Sequence, residues 1–256
     1  MQITILLFCL LGMFNTGDKE QKNAKETFEI AVKKLVLKDV RATITLETFD
    51  GNGNDKSRTL NVSFAKFDET KKVMIEITAP EDLLGTRILM TDYSDKEGII
   101  EVFLPATGKI RKFRANNRRL KMVDSEIPMN HFSSSAFANY QLLESKQVTI
   151  NGVDYKKIKL HLPDKSEYLI AYVDVSRELL SRIESYDSGA KLTDITEFTD
   201  YRHINSTGNE LIFPHKVNVS NPSSGKASVL TINDLKTLKQ IQKSDFDLVT
   251  KSKSEE

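Results

Sequence analysis

The chain has 256 residues and a mass of 29.0 kDa, room for one large β domain. Its 37 Lys and Arg against 36 Asp and Glu leave a net charge of +1, which excludes a global pull toward nucleic acid or an anionic membrane, so only local patches can act electrostatically. Cys9 is the only cysteine, so an internal disulfide is excluded as well.

The first 17 residues carry no charged side chain, and 3–14 form an apolar run broken only by Thr4 and Gly12 before Asp18-Lys19-Glu20. A bilayer span needs ~20 apolar residues, so this length predicts a signal peptide over 1–17 and export. The competing reading is a buried N-terminal strand or helix. Cys9 lacks the small residues that precede a lipid-attachment cysteine and reads as an apolar filler.

Residues 18–25 are polar and read as a flexible lead-in to a domain spanning 18–250. Phe28, Ala31, Val32, Leu35 and Val36 then recur at i, i+3, i+4, i+7 and i+8, which predicts a helix over 28–36 with one apolar face.

After Asp39 the period becomes two. Val40, Ala42, Ile44 and Leu46 alternate with polar residues, as do Leu60, Val62 and Phe64, and then Val73, Ile75 and Ile77. Gly51-Asn52-Gly53-Asn54-Asp55 separates the first two runs as a turn. Further strands are predicted over 86–93, 99–104, 109–114, 155–162, 168–175, 180–186, 192–201, 211–219 and 227–232, divided by turn residues such as Asn151-Gly152 and Asp187-Ser188-Gly189. Between them, 133–145 reads as a second helix or small helical lid, and 251–256 as a disordered tail. The expected fold is mainly β: an incomplete, half-open antiparallel β-barrel of about 11–12 strands with an N-terminal helix. A sheet wider than roughly eight strands cannot fill its own interior, so either the helix packs a solid core or an apolar cavity remains.

Chemistry is sparse. His131, His161, His203 and His215 lack any spacing that would gather two imidazoles on a metal, and no nucleophile elbow or phosphate-cradling Gly loop is present. No metal, cofactor or catalytic residue is expected. The most concentrated feature is 109–121, KIRKFRANNRRLK, in which seven of thirteen residues are Lys or Arg. Export argues against nucleic acid as its partner; contact with an anionic headgroup or an acidic partner through Arg111, Arg114 and Arg118, or a plain solvated hairpin, are the remaining readings.

Three stretches carry a resemblance. They are Ala79-Pro80-Glu81-Asp82-Leu83-Leu84-Gly85-Thr86-Arg87-Ile88-Leu89; Val102-Phe103-Leu104-Pro105 with the basic run to Arg114; and Phe213-Pro214-His215-Lys216-Val217. In order and spacing they resemble the outer-membrane lipoprotein-sorting proteins of the LolA-like superfamily, across nearly the whole exported chain. The resemblance implies an incomplete barrel, a helical lid and an apolar cavity for acyl chains. Pro80 and Gly85 match the family's turn, Leu104 and Pro105 its strand end, Arg111 its basic position, and Phe213 and Pro214 its late strand. One departure is that the family's Gly-Ser-Asp-Phe-type turn is replaced by Asp124-Ser125-Glu126-Ile127-Pro128.

The expectation is a periplasmic, monomeric carrier that takes acyl chains of a lipid or lipoprotein from an inner-membrane transporter toward an outer-membrane acceptor. Its cavity and lid would be Phe28, Val32, Leu35, Val36, Ala42, Ile44, Leu46, Leu60, Val62, Phe64, Val73, Ile75 and Ile77. An envelope sensor or partner-binding protein using the same barrel is the alternative, and a lipid enzyme would require polar groups converging inside it.

Overall fold

The computed structural model describes residues 16–249 except 36, 38, 94, 116–120, 123, 129–139, 162–166 and 207–208. One helix, α1 (Thr16–Lys33), precedes thirteen strands among these residues. In order they are β1 (Val40–Phe49), β2 (Lys56–Phe67), β3 (Thr70–Ala79), β4 (Arg87–Tyr93), β5 (Ile99–Leu104), β6 (Lys109–Arg114) and β7 (Gln141–Ile150). There follow β8 (Val153–His161), β9 (Tyr168–Asp174), β10 (Leu179–Tyr186), β11 (Leu192–Ser206), β12 (Asn209–Asn221) and β13 (Lys226–Thr237).

All thirteen strands form one antiparallel sheet in the order β6-β5-β4-β3-β2-β1-β13-β12-β11-β10-β9-β8-β7. Chain neighbours pair within two runs, β1 to β6 and β7 to β13, and the runs are joined by a single seam in which β1 pairs with β13 from Val40↔Thr237 to Phe49↔Ala227. Beyond the seam the Leu238 N–H donates to the Asp39 carbonyl at 2.7 Å. The sheet therefore curls without closing, with β6 and β7 at its two ends. Period-two alternation produces this curl's dry face: Ile44 and Leu46, Leu60, Ile75 and Ile77, Ile88 and Met90, Ile100, Val219, Leu230 and Ile232 share one buried cluster.

Three expectations need correction. The strand count is thirteen, not eleven to twelve, because 141–145 begin β7 and are not helical; the rest of the proposed lid, 133–139, lies outside the described residues. A register shift between Leu142 and Glu144 breaks the alternation there, and as an edge strand β7 leaves Leu143 and Ile150 exposed, so its pattern imitates a helix. The helix also starts earlier, at Thr16. Ala24, Phe28 and Ala31 are buried at i, i+4 and i+7, so the polar segment before Phe28 is helical and docked. Val36 lies outside the described residues.

Nor does α1 lie across the barrel as a lid. It packs on β7 to β10, where Phe28 and Ala31 join Ile158, Leu160, Leu169, Ala171, Val173, Leu180 and Ile183 in a second core. Polar contacts hold it in place: Lys156 Nζ donates to Asn23 Oδ1 at 2.7 Å, and Lys34 Nζ donates to the Arg177 carbonyl at 2.9 Å. On the outer face of the sheet, Ile241, Phe246 and Leu248 cover Ala65, Met74 and Leu89, with Phe246 edge-on to Phe67 at 5.4 Å between ring centres. Arg41 anchors this C-terminal strap through Asp245 at 2.7 Å.

Turn chemistry accounts for the remaining order. Gly85 has φ +77° and donates its N–H to the Ile77 carbonyl at 2.9 Å, and a Cβ there would meet Pro105 at 3.4 Å. At the β9–β10 turn, Asp174 accepts hydrogen bonds from the Ser176 N–H and hydroxyl and from the Arg177 N–H and Nε, all within 3.0 Å. Burial alone would raise this carboxyl, but those donors outweigh it and hold its pKa below the ordinary 3.8. A depressed carboxylate contributes stability that is present above its unfolded value and lost as pH falls through the folded one. Asp174→Ala is expected to cost ~1–3 kcal/mol in a urea titration at neutral pH, with the difference from wild type shrinking as pH falls through the depressed value.

Candidate functional site

The apolar rows of β1, β2 and β3 face those of β11, β12 and β13 across the seam, and a cavity of about 240 Å³ remains between them. Val40, Ala42, Ile44, Val62, Phe64 and Val73 line one side. Phe198, Phe213, Pro214, Val217, Val219, Leu230, Ile232 and Leu235 line the other. Val32, Leu35 and Leu37, at the end of α1 and just after it, close it toward the second core, and Ile127 enters from the connection between β6 and β7. Thr196 is the single polar residue among the described ones that border it. Such a lining excludes water and offers a ligand apolar area with almost no directional contact.

Apart from Val36, which lies outside the described residues, the expected ligand residues divide into three groups. Val32, Leu35, Ala42, Ile44, Val62, Phe64 and Val73 border the cavity. Leu46, Leu60, Ile75 and Ile77 are fully buried in the packed core beside it, and Phe28 lies under α1 in the second core. The wall formed by β11 to β13 was missed as part of the site. Its alternation marks strands, but only the β1–β13 pairing brings those strands opposite β2.

Among the described residues, the basic run is divided between the two faces of β6. Arg111 pairs with Val102 and so shares the inner face of β6, exposed at the sheet's end. Arg114 points the other way and meets Glu97 at 3.7 Å, and Lys112 meets Glu101 at 2.8 Å. Arg118 lies outside the described residues.

Past Ile127 the interior turns polar. Lys121, Met122 and residues 124–128 belong to a small loop closed by the Lys121↔Pro128 bridge and by the Met122 N–H donating to the Ile127 carbonyl at 2.9 Å. The Glu126 N–H donates to Ser228 Oγ on β13 at 2.8 Å, and Asp124 Oδ2 lies 3.5 Å from Arg58 Nη2 on β2. Glu126 is ion-paired with Lys121. Burial holds the nearby Asp194 carboxyl above its ordinary value and Glu126 adds repulsion, against the Thr193 hydroxyl and the charge of Lys121. Arg58 was passed over because it stands in an all-polar run, Lys56-Ser57-Arg58-Thr59; counting back by twos from Leu60 puts it in the dry phase.

Solved structures place this fold. A putative outer-membrane lipoprotein-sorting protein domain from Vibrio parahaemolyticus matches with a TM-score of 0.76 at 20% identity, over 88% of this chain and 97% of that one. A DUF1329 family protein from Desulfovibrio piger matches at 0.74 and 16%, and a LolA superfamily protein from Nitrosomonas europaea at 0.68 and 17%, with the same coverages of 88% and 97%. The chain has the fold of the LolA-like proteins: a half-open antiparallel sheet wrapped around an apolar interior. By sequence, residues 69–250 match a family model described as "-like: Uncharacterized protein", and the chain belongs to that family. No curated protein is matched by its sequence.

Because α1 is part of the core, Phe28→Ala is expected to destabilise the whole domain by ~3–5 kcal/mol, read as a lowered denaturation midpoint. A helix acting only as a movable cover would lose far less.

Proposed function

We propose that this protein is an exported, periplasmic carrier that holds acyl chains of a lipid or lipoprotein in its apolar cavity and passes them toward the outer membrane. The observation that carries the reading is the cavity between β1–β3 and β11–β13, whose described lining is apolar apart from Thr196. The shared fold with a lipoprotein-sorting domain supports it at the level of architecture.

At about 240 Å³ the cavity is smaller than the roughly 300–1,000 Å³ usual for ligand sites, so this state accommodates a short stretch of chain. Leu35, Leu37 and Ile127 stand on connections outside the sheet, and moving them lengthens the cavity without breaking strand pairs. Binding then gains roughly 0.8 kcal/mol for each buried methylene, and release needs a better acceptor, with no chemical step involved. Cargo would arrive from an inner-membrane transporter and leave to an outer-membrane acceptor, with Arg111, exposed on the inner face of the edge strand β6, as a contact for an anionic surface.

Two measurements test this. A fluorescent fatty acid should bind wild type, and Ala42→Phe, which fills the cavity from β1, should weaken it by about tenfold or more while leaving the denaturation midpoint unchanged or raised. Wild type that binds no acyl probe would sink the carrier reading. The mass of protein recovered from a periplasmic fraction should correspond to loss of about the first 17 residues, the length of a signal peptide; a full-length cytosolic species would contradict export.

A further inference from the structure

The inner row of β2 runs Phe64, Val62, Leu60 and then Arg58, which is only 3% exposed. Arg58 stands opposite Leu46, and one strand further on lies Leu230, a residue of the cavity wall. Among the described residues its Nε and Nη1 are buried without a hydrogen-bond partner, and Nη2 has only Asp124, 3.5 Å away on a side chain that is 77% exposed. A buried guanidinium left this poorly matched is costly, and an apolar residue of similar length would pack there at less cost.

The loop that meets it carries two different groups close together. Asp124 sets a carboxylate toward Arg58, and three residues on Ile127 sets an apolar side chain into the cavity. A single-chain acid would reproduce both contacts, with its acyl chain in the cavity and its head on the guanidinium. The distance is compatible: Arg58 and Val62 are four residues apart on one strand, ~13 Å at ~3.3 Å per residue, within the length of a long acyl chain.

We propose that Arg58 is the receptor for the acidic head, carboxylate or phosphate, of an acyl ligand, which takes the places now held by Asp124 and Ile127. The inference rests on the carrier reading and narrows its cargo to anionic amphiphiles. The planar fork supplies paired N–H donors to two oxygens of such a head, the geometry in which arginine binds carboxylate and phosphate most strongly.

The test is calorimetric titration of the full chain, and of Arg58→Met and Arg58→Lys, with palmitate, palmitoyl lysophosphatidic acid and hexadecanol. Wild type should bind at least one acid about tenfold to a hundredfold more tightly than the alcohol, the range for hydrogen bonds to a charged group; whichever acid is preferred identifies the head. Arg58→Met should weaken the acids to the level of the alcohol, leave the alcohol unchanged and keep or raise the urea midpoint, and Arg58→Lys should retain part of the preference. Equal binding of acids and alcohol by wild type, or equal weakening of all three in Arg58→Met, would overturn the role of Arg58 while leaving the carrier reading intact. Should none of the three bind wild type, both readings fall.

Discussion

A thirteen-strand sheet that curls has more dry face than its own side chains can cover, and that mismatch governs the rest of the molecule. Two additional pieces deal with it. The helix α1 fills the half of the trough formed by β7 to β10, and the loop carrying residues 124–128 enters the polar end. The cavity is what these pieces leave unfilled, so its position is set by where they stop.

This division also explains why a mostly apolar interior has one charged end. Along β2 the inner row passes from Phe64 through Leu60 to Arg58, and on β13 from Ile232 through Leu230 to Ser228. The polar groups lie together because the seam aligns the two strands, and the loop adds Ser125 and Glu126 to the same region. A chain bound from one end to the other would pass from wholly apolar surroundings to fixed hydrogen-bond donors, a gradient that gives it a direction.

Local pattern was enough to read most of the sheet, because each strand with one buried face shows a period of two. It failed at β7, where a bulge shifts the phase and both faces are largely exposed, and at the start of α1, where among the described side chains Ala24 alone is buried before Phe28. The site was harder to read for a different reason. Val62 and Leu60 have identical local signatures, yet one borders the cavity and the other is packed solid, and only the docking of α1 and the 121–128 loop distinguishes them. Likewise nothing near Leu230 or Phe213 in sequence indicates that they face Val62. The resemblance to lipoprotein-sorting proteins supplied the cavity that alternation left open.

The seam between β1 and β13 joins the first of the described strands to the last, and both walls of the cavity meet along it. Every other strand pair forms between neighbours in sequence, whereas this one must await almost the entire chain. Closing so long a loop is entropically unfavourable and slow, so the two halves of the sheet are expected to assemble first and join late. Until they join, each half presents its apolar face to water. A newly made chain therefore passes through a stage in which its sheet is adhesive and nothing yet covers it, and its own folding is the period when it is most in need of protection from other chains.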